Sequence, residues 1–301
     1  MTYWIYRAIA ALPLSFSYRL TPVLALLVER VFKYRVATVD KNLRNAFPDQ
    51  SELWYATTRR NFYRQFAEVT IEAMYAWRMP QKELEQRISV SGWEPLMATE
   101  DEASTPGILL SIHHANWEWL LQRSSVTVSA PFDGIYKPLH DHGADRFALE
   151  ARGKHGANLV TLQTLSKYIL KSRRSTRVIG LLADQSPSKK EHKYWTSFLN
   201  QETAFFMGPA TLARLTRYPV YFARTKRLSQ GRYHAELLTI CAEPGTMSER
   251  ELIEKYVALA EETIRLQPES YLWTNRRWKL LPPQATRDTV PEESDEIQSN
   301  P

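Results

Sequence analysis

Two adjacent histidines, His113 and His114, stand five and four residues before a carboxylate, Glu118, in the stretch Gly-Ile-Leu-Leu-Ser-Ile-His-His-Ala-Asn-Trp-Glu-Trp at 107–119. A histidine whose ring is oriented by a carboxylate is what a general base requires. The apolar run at 107–112 suits a buried strand, and Asn116-Trp117-Glu118 reads as the first turn of a helix. On a regular helix His113 and Glu118 would lie roughly 140° apart. They meet only if His113 ends the strand and Glu118 sits in the first helical turn. His114 and Glu118, four apart, can instead share one helix face.

Other residues that could do chemistry fall at similar places. Lys137 ends a strand expected at 132–136, where its ammonium can meet a phosphate or carboxylate. Arg146 and Arg152 lie on a helix expected over 145–154 and are candidate anion ligands. Asp184-Gln185 follows a buried strand at 178–183, at the carboxyl end where open α/β sheets place their sites. A metal centre built from His113, His114, His140 and His142 is the competing reading. Neither a Cys cluster nor a His-Glu-x-x-His spacing supports it, which makes it the lesser reading. The single cysteine, Cys241, excludes an intrachain disulfide and points to a reducing compartment.

The elements that must position these groups alternate. A helix with apolar residues at helical spacing (Phe62, Phe66, Val69, Ile71, Tyr75) runs over 53–76, with Ser51 as N-cap and Met79-Pro80 closing it. Asn42 to Asp49 reads as a turn entry. A strand and turn over 88–95 lead to the histidine motif. Gly156 caps the helix that ends at Lys154, and a strand at 157–162 and a helix at 165–173 follow. A basic, aromatic loop is expected at 189–195, a helix from Gly208 to Tyr218-Pro219, and strands at 220–225 and 232–241. Ser248-Glu249-Arg250-Glu251 is a capping box for a helix over 252–266. Strands alternating with helices imply an α/β domain with a mixed sheet flanked by helices.

The chain has 301 residues and a net charge of +6, but the charge is uneven. From 284 to 301 one Arg faces five acidic residues, a net of −4, so the body before it carries +10. This end is expected to be a disordered acidic tail, 283–301. A basic body suits a polyanionic partner. No DNA- or RNA-binding module signature is present, and nine Trp and fifteen Tyr suit a membrane interface better than nucleic acid. The first 35 residues are apolar and aromatic, yet Arg7, Arg19, Pro13 and Pro22 break them into runs too short to span a bilayer. Two short helices lying on a membrane face are expected, followed by basic Arg30, Lys33 and Arg35. The division is thus 1–35 membrane-associating helices, 36–282 the main domain and 283–301 the tail.

His113-His114-Ala115-Asn116-Trp117-Glu118 resembles the His-x4-Glu block of the bacterial lipid A late acyltransferases, the lauroyl and myristoyl transferase family, which often reads His-Phe-Gly-Asn-Trp-Glu. Further blocks follow in order. They are Asn-Leu-Arg-Asn-Ala-Phe-Pro at 42–48, Tyr-Lys-Pro-Leu at 136–139, an Arg shortly before Gly156, Asp184-Gln185, Trp-Thr-Ser-Phe-Leu-Asn at 195–200, Gly-Arg-Tyr at 231–233, and Pro-Glu-Ser-Tyr-Leu-Trp-Thr-Asn-Arg-Arg-Trp-Lys at 268–279. Asn200 stands where the family has Gly, Asn275 where it has His and Trp278 where it has Phe.

The resemblance implies the glycerolipid-acyltransferase-like fold and transfer of an acyl chain from an acyl-carrier-protein thioester to a hydroxyl of a lipid A precursor, an anionic glycolipid, at the cytoplasmic face of a bacterial inner membrane. It implies a reaction that needs neither metal nor nucleotide nor other cofactor, with His113 the base and Glu118 the carboxylate that holds its ring. Lys137, Arg152, Asp184 and Gln185 would then bind substrate. Three alternatives are another membrane lipid as acceptor, a metal-dependent hydrolase, and a catalytically idle membrane scaffold.

Overall fold

Short runs of strand-forming residues dictate the centre of the molecule. The computed structural model describes residues 1–97, 104–172 and 175–282. Its strands β1 (Ile88–Ser91), β2 (Gly107–Ser111), β3 (Phe132–Tyr136), β4 (Asn158–Thr161), β5 (Val178–Leu182), β8 (Val220–Ser229) and β9 (Arg232–Cys241) form one sheet in the order β1-β9-β8-β2-β5-β3-β4. Every pairing is parallel except β8 with β9, so the sheet is mixed as the pattern predicts. Strand β2 is buried along its whole length, which is why it reads as an unbroken apolar run rather than an alternation.

Alternate residues of β2 serve opposite faces. Ile108, Leu110 and Ile112 join one apolar cluster with helices α9 (Gly208–Thr216) and α10 (Glu249–Leu266), whereas Leu109 joins another with Trp119 and Leu120 of α6 (Trp117–Thr127). The chain leaving β2 passes through α6 to β3; the chain leaving β5 returns past β2 through α9 to β8. The connections therefore diverge between β2 and β5, and a crevice opens at the carboxyl ends of these two neighbours.

Local sequence explains most of the helices. In α4 (Glu52–Tyr75), Ser51 accepts the Trp54 N–H, a cap worth about 1 kcal/mol. Helix α10 opens with the full reciprocal box between Ser248 and Glu251. Helix α7 (His142–Gly153) is capped by Asp141, and Gly156 turns the chain into β4 at φ 90°. Helix α8 is described over Leu165–Ser172; the residue expected to end it, Arg173, and the expected tail 283–301 lie outside the described residues.

Two expectations are corrected and one unexpected helix is added. Residues 42–46 are not a turn entry but the second half of a helix, α3 (Val36–Ala46), whose amphipathic face buries Val39, Leu43 and Ala46. A short helix, α5 (Gln81–Arg87), precedes β1. The basic loop at 189–195 gives way at Lys193 to β6 (Lys193–Phe198), paired antiparallel with β7 (Gln201–Phe206). Leu199 and Asn200 form the two-residue turn between them at φ 50° and 60°, so Asn200 occupies the left-handed conformation that a Gly would take there.

At the amino end, α1 (Thr2–Ala10) and α2 (Leu14–Leu26) are bent by 117° about Ala11–Pro13, and α2 widens into a π-helical turn at Leu27–Val31. Among the described residues no single helix is long and apolar enough to cross a membrane; that pair has the length and composition only when taken together. Inner faces pack on the body: Tyr3 and Ala10 on Phe147 and Ala151 of α7, and Leu14 in the α6-side cluster. Outer faces leave Trp4, Phe16, Leu20, Val23, Leu26 and Phe32 exposed, Phe32 by 72%.

Candidate active site

Strand β2 ends at Ser111, and the two following residues carry His113 to the mouth of the crevice, where its side chain is 14% exposed. Strand β5 ends one neighbour away and delivers Asp184, wholly buried. Parallel pairing of Ser111 with Leu182 brings the two side chains together, and Asp184 Oδ1 lies 2.7 Å from His113 Nδ1. A carboxylate facing Nδ1 fixes the tautomer that keeps the proton there and leaves the Nε2 lone pair toward the crevice. At 3.3 Å, Gln185 Nε2 faces that nitrogen. Burial opposes ionisation of Asp184, but the His113 ring and its hydrogen bond outweigh it and hold the carboxyl below its usual range.

Glu118 does not hold the ring. It sits in the first turn of α6, as phasing required, but both its oxygens accept from Arg152 on α7, at 2.7 and 2.6 Å. The reason is charge geometry. A guanidinium offers two parallel N–H donors to both carboxylate oxygens at once, which one imidazole nitrogen cannot match. Burial pushes the Glu118 carboxyl up, yet the Arg152 charge and its hydrogen bonds more than offset this and leave it below the usual value. Glu118 in turn raises Arg152. The carboxylate hydrogen-bonded to the His113 ring is therefore Asp184, whereas Glu118 is paired with Arg152. Lys137 is brought to the same sheet edge by β3 but is exposed and forms no ion pair among the described residues.

His114 points away. It is buried, with Nδ1 2.9 Å from the Thr225 carbonyl oxygen of β8 and Nε2 3.0 Å from that of Gln267. Burial lowers its pKa against the pull of these two carbonyls. It is a structural clamp between β8 and the segment after α10. Among the described residues no group of three or more His, Cys, Asp or Glu is arranged to hold a metal ion.

The bend between His113 and α6 is tightly built. Ala115 takes φ 51°, where the related block commonly has Gly, and its N–H donates to the Ser270 carbonyl. Asn116 caps α6 by accepting the Trp119 N–H at 2.8 Å, while its amide donates to Glu72 of α4 at 2.7 Å. Glu72, wholly buried, also accepts from Tyr233 and from Tyr18 of α2, each at 2.6 Å. Burial raises the Glu72 pKa despite these three donors. Beyond the bend, Trp117 meets the His113 ring edge-on at 5.2 Å. With Ala115, Phe62, Phe66, Val69 and Leu272 it lines a small cleft whose other walls are polar, Gln65, Glu269 and Ser270, and Phe66 stacks on Tyr34.

A family model, bacterial lipid A biosynthesis acyltransferase, matches residues 1–280. The chain belongs to that family. It is also 25% identical over 281 residues, 91% of this chain and 89% of the other, to the lipid A biosynthesis lauroyltransferase of Escherichia coli (strain K12). The acyltransferase fold expected from the ordered blocks is thus the fold this lipid A family member has, a mixed seven-stranded sheet flanked by helices with further helices at the amino end.

Sequence reasoning placed Asp184-Gln185 at a strand end but gave them to substrate. Tyr271 and Arg277, both buried, stand in the sequence only as letters of the closing block at 268–279. The signal that could have paired His113 with Asp184 was the shared carboxyl-end position of two strands, once their adjacency is known.

Proposed function

We propose that this lipid A acyltransferase moves a fatty acyl chain from an acyl-carrier-protein thioester to a hydroxyl of a lipid A precursor, with His113 as general base, on the cytoplasmic face of a bacterial inner membrane. The observation that carries this reading is the buried Asp184 carboxylate 2.7 Å from His113 Nδ1, which leaves Nε2 as the basic atom at the mouth of the crevice. Nε2 takes the acceptor hydroxyl's proton as its oxygen attacks the thioester carbonyl. Trp117 and Glu118 backbone N–H groups, in the first turn of α6, are the donors available to the tetrahedral oxyanion; Trp119 N–H is held by the Asn116 cap. Collapse breaks the C–S bond, and the imidazolium returns its proton to the departing thiolate.

The remaining cationic groups suit a phosphorylated acceptor. Two of Arg152's N–H donors hold Glu118, which fixes the guanidinium plane and leaves its other donors for a phosphate oxygen. Lys137 stands exposed at the rim and adds a second positive charge. Lys189, Lys190 and His192, before β6, offer a basic surface to the acyl carrier protein. Phe62, Phe66, Val69 and Trp117 give the space beside His113 an apolar wall, which suits an acyl chain brought to the base. Exposed apolar side chains on α1 and α2, with Arg19, Arg30 and Lys33 among them, support attachment to an anionic bilayer.

The test is transfer of labelled acyl chain from acyl-carrier protein to a lipid A precursor in mixed micelles. Wild-type protein should transfer it, and His113→Ala should reduce transfer by several orders of magnitude with an unchanged circular dichroism spectrum. Retained transfer in His113→Ala would remove His113 as the base.

A further inference from the structure

Beneath the catalytic pair lies a set of buried polar groups that the mechanism so far leaves idle. Arg277 is 2% exposed; its Nη2 donates to the Ala204 carbonyl at 2.7 Å and its guanidinium lies over the Phe205 ring, 4.3 Å from the centroid. Among the described residues its Nε and Nη1 have no hydrogen-bond partner. Asp184 Oδ2, the oxygen turned away from His113, has none either, nor has the Tyr271 hydroxyl, which faces Asp184. These groups are chemically complementary: guanidinium N–H donors, a hydroxyl that both accepts and donates, and a carboxylate oxygen that accepts. Buried unpaired groups of matching sense in one place call for a joint explanation.

The backbone adds a second reason. The Leu272 N–H donates to the His113 carbonyl at 3.0 Å, His114 and Tyr271 form a β-bridge, and the Ala115 N–H donates to Ser270. The segment that carries Tyr271 and Arg277 is therefore zipped onto the residues that present the base.

We propose that Tyr271 and Arg277 are positioning residues for the His113–Asp184 pair: the Tyr271 hydroxyl donates to Asp184 Oδ2 and accepts from the Arg277 guanidinium, so that Oδ1 stays aimed at Nδ1. This rests on His113 acting as the base. The groups that act electrostatically on Asp184 are His113 and His114 from the loop after β2, Tyr256 from α10, and Tyr271 and Arg277; Glu118 with Arg152 stands on the far side of His113. A donor on Oδ2 draws negative charge away from Oδ1 and weakens its hold on the imidazolium proton. Removing that donor makes the ring more basic.

The full-length protein in detergent micelles is compared with Tyr271→Phe and Arg277→Lys by two readouts. One is the pH profile of kcat and KM for acyl transfer to a lipid A precursor. The other is the titration of the His113 ring followed by 13Cε1 nuclear magnetic resonance, which needs no substrate. Tyr271→Phe should lower kcat roughly ten- to a hundredfold with little change in KM. Its acid limb and the His113 titration should move to higher pH by about half a unit or more. Arg277→Lys, which keeps the charge but loses the fork, should show a smaller displacement in the same direction.

A merely structural role would lower the melting temperature and the active fraction while leaving both pH curves where they are, and that result in either folded variant overturns the proposal. If His113→Ala retains transfer while the ring titration still moves, the base assignment fails and the positioning network stands. Should Tyr271→Phe not fold, Arg277→Lys alone decides by the same criterion.

Discussion

Replacing Asp184 by Asn removes one charge and changes one hydrogen-bonding atom in a fully buried position, so its consequence can be worked out from the geometry. With Nδ1 2.7 Å from Oδ1, the charge centres of an imidazolium and the carboxylate lie about 4 Å apart, an attraction of about 4 kcal/mol at an effective dielectric near 20. With His113 as the proposed base, the imidazolium forms as the acceptor hydroxyl is deprotonated, so most of that loss falls on the transition state, roughly 10³ in rate. An Asn that presents its NH₂ to Nδ1 also selects the wrong tautomer, which elsewhere has cost about 10⁴. Asp184→Asn should therefore lower kcat by roughly 10³ to 10⁴, leave KM within a few-fold, and move the acid limb of kcat to lower pH. Glu118→Gln is the decisive comparison. It loosens Arg152 rather than His113, so it should raise KM for the phosphorylated acceptor and leave the acid limb in place. Both variants are assayed for acyl transfer in mixed micelles across pH 5 to 9, with folding checked by thermal melts. The opposite pattern, with Glu118→Gln shifting the acid limb and Asp184→Asn nearly active, would refute the assignment of Asp184 as the orienting carboxylate.

Acid stability should follow from the same carboxylates. Asp184 and Glu118 both sit below their usual values of 3.8 and 4.5, so their stabilisation is complete above those values and is lost as pH falls through the depressed ones; melts of Glu118→Gln below pH 4.5 should show a flatter acid decline than wild type. Glu72 has the opposite sign: its raised pKa means its contribution erodes as pH climbs above 4.5, and Glu72→Gln should lose less stability on that climb. Glu72→Ala leaves Tyr18, Tyr233 and Asn116 without an acceptor and should destabilise by at least about 3 kcal/mol in denaturant titrations, at about 1 kcal/mol or more for each stranded donor. Phe16→Asp with Phe32→Asp should weaken flotation with anionic vesicles by more than tenfold at unchanged melting temperature, since each aromatic side chain gains about 1.5–3 kcal/mol on burial.

How much was legible beforehand can be judged from particular residues. The strand at 178–182 is a bare apolar run, readable to within a residue, and the helix after Ser248 announces itself by its capping box, although it starts at Glu249, three residues earlier than expected, because the box itself is its first turn. Helix α3 was missed because it begins at Arg35 in a left-handed conformation with no side-chain cap, and its Asn42-Leu43-Arg44-Asn45 segment mimics turn chemistry. The pairing of His113 with Asp184 spans 71 residues and depends on β5 lying next to β2 while β3 lies beyond it, an ordering that no local pattern records. Local phasing could bring Glu118 toward His113, but could not foresee a guanidinium 34 residues later competing for it. Tyr271 and Arg277 looked like motif letters because burial beneath a carboxylate is a tertiary fact.

The seating of α1 on α7 has a practical corollary. Tyr3 donates from its hydroxyl to Glu150, two residues before the arginine that grips Glu118, and the Tyr3 backbone closes against Gly143, where even a methyl group would collide. Clipping off the greasy front end to obtain a well-behaved soluble enzyme would thus pull a brace from the helix that delivers Arg152. The amino-terminal helices and the helix carrying Arg152 thus share one mechanical frame, and detergent rather than truncation is the route to handling the protein.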